Sequence, residues 1–459
     1  MRLNFRNPAL AVSLLLCLAV PRELSLQHTD PMFRRLFSLL CWMIISLLSI
    51  TSLPAFAQEQ GTKPSGPAVR YTLTDLGTLG GSFSQAFGVN NKGWVVGFST
   101  TAGDVGLHAF LWRRGVMTDL GTLGGSDPLP YSLALSINDR GEVAGLSETS
   151  NADPSGENFC GDFLICLPVV WRGGVITTLP TLGGNNGVAV AINGRGEVVG
   201  RAETSQLDTA CPPSFSFKPA LWRKDSIHEL PTIPGDTHGE VDAINDKGQA
   251  AGFTFDCISS FHPVLWQNGK AIDVTVADLG IELDDINNRG EATGTGGDAN
   301  GIEHAILWKS GVATILETLP ETAESHGNSI NDKGQVAGQS CSANGDCTVF
   351  VWRNGVVRDL NSLATPDSAL FAVDPGKINA RGQIVGLAFT EAGEFHAFLA
   401  TPCDQNAEDE GCRRQELSFS QLTVRPRTTI AVPERIQRIL QMGKTHRHPL
   451  SSRGNRLTK

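Results

Sequence analysis

Five acidic and histidine residues are the part of this chain best suited to do chemistry. They share one place in a repeated pattern, near the start of a repeat's first strand: His238, Glu240, Asp284, His326 and Asp374. A ring of carboxylates and imidazoles could bind a cation or a sugar. Solvated rim residues are the alternative, because no spacing motif joins the five and their types differ between repeats. We assign them as candidate binding residues, and we assign no catalytic residue, cofactor or metal ligand.

Cysteines give the second chemical signal. The chain has ten, and two of them fall within the first 57 residues, which leaves an even number for disulfide bonds. Close spacing predicts three bonds and leaves one further pair: Cys160–Cys166, Cys341–Cys347, Cys403–Cys412 and Cys211–Cys257. A zinc site is the weaker alternative, because no C-x-x-C motif occurs.

A sequence motif that occurs seven times defines the strands on which these residues lie. Each copy has a branched apolar residue, Asn, two turn residues and Gly, followed by a short apolar run that closes on Gly. The Asn residues are Asn90, Asn138, Asn193, Asn245, Asn287, Asn331 and Asn379. The Asn side chain can bond its own backbone two residues on, and Gly can adopt the left-handed conformation. Each phrase therefore predicts two antiparallel strands joined by a tight turn.

A second phrase, built around Trp, completes each repeat. It places Trp near the end of a third strand, followed in most copies by Gly and a fourth strand, at Trp112, Trp171, Trp222, Trp266, Trp308 and Trp352. A four-stranded antiparallel unit of this length is typical of a propeller blade. We predict that the Trp ring fills the wedge between blades, with its indole N–H bonded locally.

The two ends of the array predict how it closes. Residues 71–77 match a fourth strand, whereas the last repeat lacks one. Pairing the two would remove the exposed sheet edge. The predicted fold is all-β: a seven-bladed β-propeller of four-stranded antiparallel blades over residues 71–402, closed by the N-terminal strand.

The repeated strings also resemble a known family. Residues 75–81 read Asp-Leu-Gly-Thr-Leu-Gly-Gly and residues 108–110 read His-Ala-Phe. Together with Ile-Asn-Asp-x-Gly, these strings resemble the HAF-repeat proteins, which are probable extracellular bacterial repeat proteins. The resemblance implies secretion and a propeller-like fold, and it implies no known reaction. We interpret His108, His304 and His396 as packing residues and Asp75 and Asp119 as turn residues, with Pro168, Pro219 and Pro263 replacing the His in other copies.

The chain ends have a different composition from the repeats. Residues 1–57 read as a targeting segment, with a start at Met32, an apolar core over residues 36–50 and cleavage after Ala57. An uncleaved membrane anchor is the alternative. Residues 58–70 are a predicted linker. Residues 403–459 form a Cys-stapled tail whose residues 413–459 hold eleven Lys or Arg and two acidic residues, and we interpret it as largely disordered.

Charge and loop lengths give the functional expectation. The net charge is −10 and the tail is basic, so the repeats are acidic and nucleic acid is an unlikely partner. The stretches 145–171 and 200–222 are longer than their counterparts, which favours a binding face. We expect a secreted, monomeric, non-enzymatic module that binds an extracellular protein or glycan, with no transmembrane span in the mature chain. The alternative is an extracellular hydrolase or lyase acting on a polysaccharide or lactone.

Overall fold

The computed structural model describes residues 69–124, 131–160, 163–208, 215–258, 260–276 and 279–403. All of them belong to one compact unit, residues 64–459; the other unit, residues 1–63, lies outside the described residues. The targeting segment, most of the linker and the basic tail therefore also lie outside them. In the described part, no helix is long and apolar enough to cross a membrane.

The described residues form strands almost throughout. The first strands are β1 (Tyr71–Asp75), β2 (Gly80–Val89), β3 (Val95–Thr101), β4 (Leu107–Arg113), β5 (Val116–Asp119), β6 (Ser132–Ile137), β7 (Val143–Ala152), β8 (Leu164–Arg172), β9 (Val175–Thr178), β10 (Gly183–Ile192), β11 (Val198–Leu207), β12 (Phe215–Arg223) and β13 (Ser226–Glu229). They continue as β14 (His238–Ile244), β15 (Ala250–Phe255), β16 (Phe261–Gln267), β17 (Lys270–Asp273), β18 (Gly280–Ile286), β19 (Ala292–Gly297), β20 (Glu303–Lys309), β21 (Val312–Ile315), β22 (Glu324–Ile330), β23 (Val336–Cys341), β24 (Cys347–Arg353), β25 (Val356–Asp359), β26 (Leu370–Ile378), β27 (Ile384–Thr390) and β28 (Phe395–Pro402). A 3₁₀ turn (Ala102–Asp104) and a short helix α1 (Leu360–Leu363) complete the described part.

The strands pair into antiparallel units of four. Five sheets, β6–β9, β10–β13, β14–β17, β18–β21 and β22–β25, have four strands each in chain order. The sixth sheet has eight strands: β2–β5 join β26–β28 through a single parallel pair, Phe83 with Phe395. β1 pairs antiparallel with β28, from Tyr71 opposite Pro402 to Asp75 opposite Phe398. The predicted all-β architecture of four-stranded units is confirmed.

The repeated Asn closes its own turn as predicted. Asn90 Oδ1 accepts hydrogen bonds from the N–H groups of Lys92 and Trp94, both at 3.0 Å. Gly93 has φ = +75°, a left-handed conformation that L side chains rarely adopt. The same bonds recur at the other repeats, for example from Lys333 and Gln335 to Asn331.

Each repeated Asn side chain also forms a hydrogen bond to the backbone of the next repeat. Each Nδ2 donates to the backbone carbonyl of the next repeated Asn, and Asn379 donates to Asn90. The seven bonds form a closed cycle with lengths of 2.9–3.1 Å. We call this cycle the asparagine ring. Because all seven Asn residues are buried, each bond gives a buried Nδ2 donor an acceptor. It also adds a second donor to a carbonyl that already accepts the N–H of its own turn Gly.

Trp residues fill the space between neighbouring sheets, as predicted. The indole N–H of Trp171 donates to Leu120 O at 2.9 Å, and that of Trp222 donates to Pro180 O at 2.8 Å. Each acceptor lies in the connection that precedes the Trp's own sheet. Trp222 packs with Ala144 and Val170 of the preceding sheet. Burial of these rings between sheets contributes to the inter-sheet cores.

The strand register corrects one sequence alignment. Pro263 pairs with Phe253, as Ala109 pairs with Phe98, so Pro263 replaces the Ala of His-Ala-Phe and not the His. Pro168 and Pro219 take the same place. Each of these Pro residues stands three residues before its Trp, as Ala109 does, and His262 therefore occupies the true His position.

The third strand of one sheet contacts the first strand of the next sheet, and we call this contact a seam. This register gives two kinds of seam. In the first, the Ala N–H donates to a Ser hydroxyl of the adjacent first strand, as Ala109 does to Ser132 at 2.9 Å. In the second, Pro has no N–H, and a Gly faces its ring: a Cβ on Gly239 would lie 3.1 Å from Pro219 Cδ. Ala305 with Ser325 and Ala397 with Ser84 repeat the first kind, and Pro168 with Gly187 repeats the second.

His108 and His396 pair with the turn Asp residues. His108 Nδ1 lies 2.7 Å from Asp119 Oδ2, and His396 Nδ1 lies 2.9 Å from Asp75 Oδ2. Each Asp also accepts the N–H of a Gly two residues on, at 2.8 Å for Gly77. The turn role of these Asp residues is confirmed, and the pairs tie third strands to fourth strands.

Candidate active site

A cavity lies where the first strands of the repeats meet. Strands β2, β6, β10, β14, β18, β22 and β26 each contact the first strands on both sides, and β26 contacts β2. The cavity between them has a volume of about 110 Å³. One part of its wall is apolar and comes mainly from β2, β6 and β10, with Phe87, Leu133, Leu135, Val188 and Val190. The other comes from β14, β18, β22 and β26, with Glu240, Asp242, Asp284, Asn328 and Lys377.

A β-bulge in each first strand supplies a lining residue. The register slips by one residue at the third position before every repeated Asn except the last, at Phe87, Leu135, Val190, Asp242, Asp284 and Asn328. In β26 the slip covers Gly376 and Lys377. All of these residues line the cavity. Bulges re-aim side chains and are common beside active sites. Seven equivalent backbone positions therefore present apolar, acidic, amide and basic side chains to one space.

Arg201 holds the Glu240 carboxylate at the cavity. Its Nη1 lies 3.0 Å from Glu240 Oε2, and the Glu240 side chain is 3% exposed. The guanidinium lies over the rings of Phe159 and Phe217, at 5.0 Å and 5.2 Å from their centroids. Cation–π contact with two rings fixes the guanidinium in place, so the Glu240 carboxylate has a fixed partner.

Burial and like charges keep a proton in this cluster. Burial raises the pKa of Asp242 well above its usual range, and the negative charges of Glu240, Asp284 and Glu282 raise it further, against Lys377. Burial also raises the pKa of Glu240, against the opposing charge of Arg201. A neutral carboxyl beside other carboxylates can donate a proton at neutral pH. The arrangement can therefore perform general acid–base chemistry.

The structure brings together two of the five sequence-predicted site residues. Glu240 and Asp284 both line the cavity. His238 is buried nearby with its ring committed: Nδ1 accepts the Phe217 N–H at 3.2 Å, and Nε2 lies 3.1 Å from Asp208 Oδ2. Burial lowers the pKa of His238, which favours the neutral ring. His238 thus positions Phe217 and is not a cavity group.

The remaining two predicted residues lie elsewhere. Asp374 accepts a hydrogen bond from Gln85 Nε2 at 2.9 Å. His326 belongs with Glu303 and Glu324, whose ligand atoms lie within 4.8 Å of one another, a spacing that could hold a metal ion. The sequence analysis did not identify Asp242. A signal for it was available, since Asp242 and Asp284 both stand three residues before a repeated Asn.

Two of the expected disulfides are present, Cys160–Cys166 and Cys341–Cys347. Cys257 and Cys403 are also disulfide-bonded; their expected partners, Cys211 and Cys412, lie outside the described residues. Cys257 lies beside Asp208 and His238 at metal-like spacing. Because its sulfur is in a disulfide, that trio lacks the thiolate a soft metal site needs.

Comparison with known proteins gives fold-level likeness only. No known protein family and no curated protein sequence matches the chain. Among solved structures, the β-propeller domain of the Trilobed protease from Pyrococcus furiosus is 10% identical, with a TM-score of 0.42 over 74% of this chain and 99% of that one. A gluconolactonase from Xanthomonas campestris is 10% identical, with a TM-score of 0.32 over 74% and 99%. The acylaminoacyl peptidase of Pyrococcus horikoshii is 13% identical, with a TM-score of 0.41; the match covers 71% of this chain and about half, 52%, of that one.

These neighbours correct the functional expectation. The sequence-based preference for a non-enzymatic binding module is not supported by these neighbours, several of which are described as a protease, a hydrolase, a peptidase or a gluconolactonase. The alternative, a hydrolase or lyase, fits them better. The long stretches do not mark a binding face, because much of their extra length extends β7 and β11 to ten residues each and so lengthens hairpins. Fold likeness at this distance assigns no reaction; the evidence for chemistry lies in the cavity.

Proposed function

We propose that the chain is an extracellular hydrolase or lyase that acts on a lactone or polysaccharide at this cavity. The observation that carries the proposal is the set of bulges, which place Asp242 and Asp284 in one enclosed space with Glu240. When their environments give two neighbouring carboxyl groups different pKa values, one can act as an acid and the other as a base. We assign Asp242 as the proton donor, and Asp284 or Glu240 as the second carboxylate.

We further propose that the architecture is a seven-bladed propeller closed by β1. Three observations support this: the asparagine ring has seven members and returns to its start, β1 supplies the fourth strand beside β28, and the first strands contact one another in a cycle. Secretion, a monomeric state and membership of the HAF-repeat proteins complete the proposal.

The central test is the variant Asp242→Asn in the full-length protein. Wild-type protein is screened on lactones by acid release and on polysaccharides by new chain ends. The variant is expected to lose turnover by about 10²–10⁴-fold, the usual contribution of a general acid. Wild-type activity should fall as pH rises through the raised pKa of Asp242, because the ionised carboxyl has no proton to donate.

Glu317→Gln is the control, because Glu317 is an exposed carboxylate outside the cavity. It should retain wild-type turnover and the same pH profile. Full activity in Asp242→Asn, or no turnover of any lactone or polysaccharide by the folded wild type, would remove the assignment.

A further inference from the structure

A pair of buried carboxylates lies apart from the cavity lining, where the long hairpins of two neighbouring sheets meet. Glu203 is on β11 and is 0% exposed, and Glu157 is in the connection between β7 and β8 and is 7% exposed. Glu203 Oε2 accepts the N–H groups of Asn185 and Asn186 at 2.5 Å and 2.8 Å. Glu157 Oε1 accepts the Phe215 N–H at 2.9 Å. Backbone donors thus satisfy one oxygen of each carboxylate.

The other two oxygens have no donor among the described residues. Glu157 Oε2 and Glu203 Oε1 are buried and accept no hydrogen bond from an N–H or O–H donor of that part of the chain, and the two carboxyls are within hydrogen-bonding reach of each other. Burial and Glu157 raise the pKa of Glu203 to about 8, and no Lys or Arg contributes among the described residues. Two buried carboxylates in contact need a positive charge between them, which must be a metal ion or a shared proton.

The surroundings favour a hard metal ion. Asp153, Ser155 and Glu157 stand at alternate positions of one turn, an oxygen-rich spacing. Asp153 Oδ2 accepts Asn186 Nδ2 at 2.7 Å, and the Asn186 N–H donates to Glu203 Oε2, so Asn186 links a third carboxylate to the pair. Both nearby sulfurs, Cys160 and Cys166, are in a disulfide. Calcium takes carboxylate, carbonyl and water oxygens in flexible geometry.

We propose that Glu157 and Glu203 are ligands of a calcium ion that ties the β7–β8 connection to β11. The ion would also order Phe159, which lies two residues after Glu157. The Phe159 ring covers Arg201, which in turn holds Glu240 at the cavity. Calcium at this site thus stabilises the wall of the cavity from outside it.

Calcium titration of the full-length protein, stripped with EDTA and dialysed, tests the proposal. Calorimetry with CaCl₂ should show one saturable site with a Kd at or below about 1 mM, the weak end for calcium modules. The melting temperature should rise with CaCl₂, because a ligand that binds only the folded state stabilises it. Glu203→Gln should abolish both the binding heat and the thermal shift.

Glu148→Gln is the matched control. Glu148 is buried and stands three residues after its closing Gly145, as Glu203 does after Gly200, and the variant should bind calcium like the wild type. If Glu203→Gln fails to fold, Glu157→Gln replaces it. No heat and no thermal shift in the wild type, or unchanged binding in a folded Glu203→Gln or Glu157→Gln protein, would show that the pair shares a proton instead.

Discussion

Each residue of the asparagine ring stands three residues after a bulge position, in the turn that follows the same first strand. The residue type is constant in the ring and varies at the bulge. The Asn is the same in all seven repeats, and each copy makes the same bonds. The bulge residue changes from Phe87 and Leu135 to Asp242 and Asp284. The comparison teaches that the ring fixes the backbone, which leaves the bulge residue free to vary without loss of the fold.

The largest expected effect comes from removing β1, the strand that pairs with β28. Deleting residues 58–77 removes β1 and with it the buried side chains of Tyr71, Leu73 and Leu76. Burying an apolar side chain of this size contributes about 1.5–3 kcal/mol, so the loss should be a large part of the protein's total stability. Thermal and urea unfolding would measure it. Deleting residues 58–68 is the control and should unfold like the full chain; equal melting temperatures for both deletions would contradict closure by β1.

A smaller effect should separate the two positions directly, because β22 and the turn after it offer Asn at both. Asn331→Ala removes the bonds from Nδ2 to Asn379 O and Gln335 Oε1, and it leaves the N–H of the buried Gln335 without its Oδ1 acceptor. We expect a loss of about 1–3 kcal/mol, the range for an unsatisfied buried group. Asn328→Ala, at the bulge, removes a side chain whose Oδ1 has no hydrogen-bond partner in the described part of the chain. It should change the free energy of unfolding by less than about 0.5 kcal/mol. Equal losses in urea unfolding would erase the distinction between ring and bulge.

The smallest effect concerns the pairing of β1 with β28, where Asp75 contacts His396. The Asp75 side chain raises the pKa of His396 above its ordinary value of 6.5. The protonated pair therefore adds stability that is fully present below pH 6.5 and is lost as pH rises through the raised pKa. His396→Gln should flatten this part of the stability–pH curve, measured by urea midpoints. Asp75→Asn should flatten it as well, because it removes the partner that raises the pKa of His396; an unchanged curve in both variants would contradict the contribution of this pair.

The sequence predicted the hairpins because they depend on local chemistry, and it predicted the Trp positions because Trp recurs at a fixed place in the repeats. Asn-x-x-Gly closes its own turn wherever it stands, and Trp222 needs only an apolar neighbour and one carbonyl. The asparagine ring was not predictable, since the partner of Asn90 Nδ2 is a carbonyl 48 residues away, at Asn138. The same holds for Arg201 and Glu240, which meet only once two sheets pack together.

The bulges escaped prediction for a different reason. An alternating strand pattern assigns Asp242 to one face, and a one-residue slip reverses that assignment. Nothing local to residues 238–244 marks the slip. The position of the slip becomes visible only when the repeats are aligned on their Asn residues. Phe87, Leu135 and Asp242 then share one column of the alignment. The same alignment, anchored on Trp266, would have placed His262 correctly.

The two kinds of seam carry information about sequence order. A sheet that ends one seam with Pro219 must be followed by a strand with Gly239, and a sheet with Ala109 must be followed by Ser132. A shuffled order would set the Ser132 hydroxyl against a Pro ring without an N–H, or leave the Ala109 N–H without its acceptor. The sheets that carry Ala109 and Pro219 are therefore each matched to the type of first strand that follows them, so exchanging those two strands would cost a hydrogen bond at one seam and crowd the Pro ring at the other.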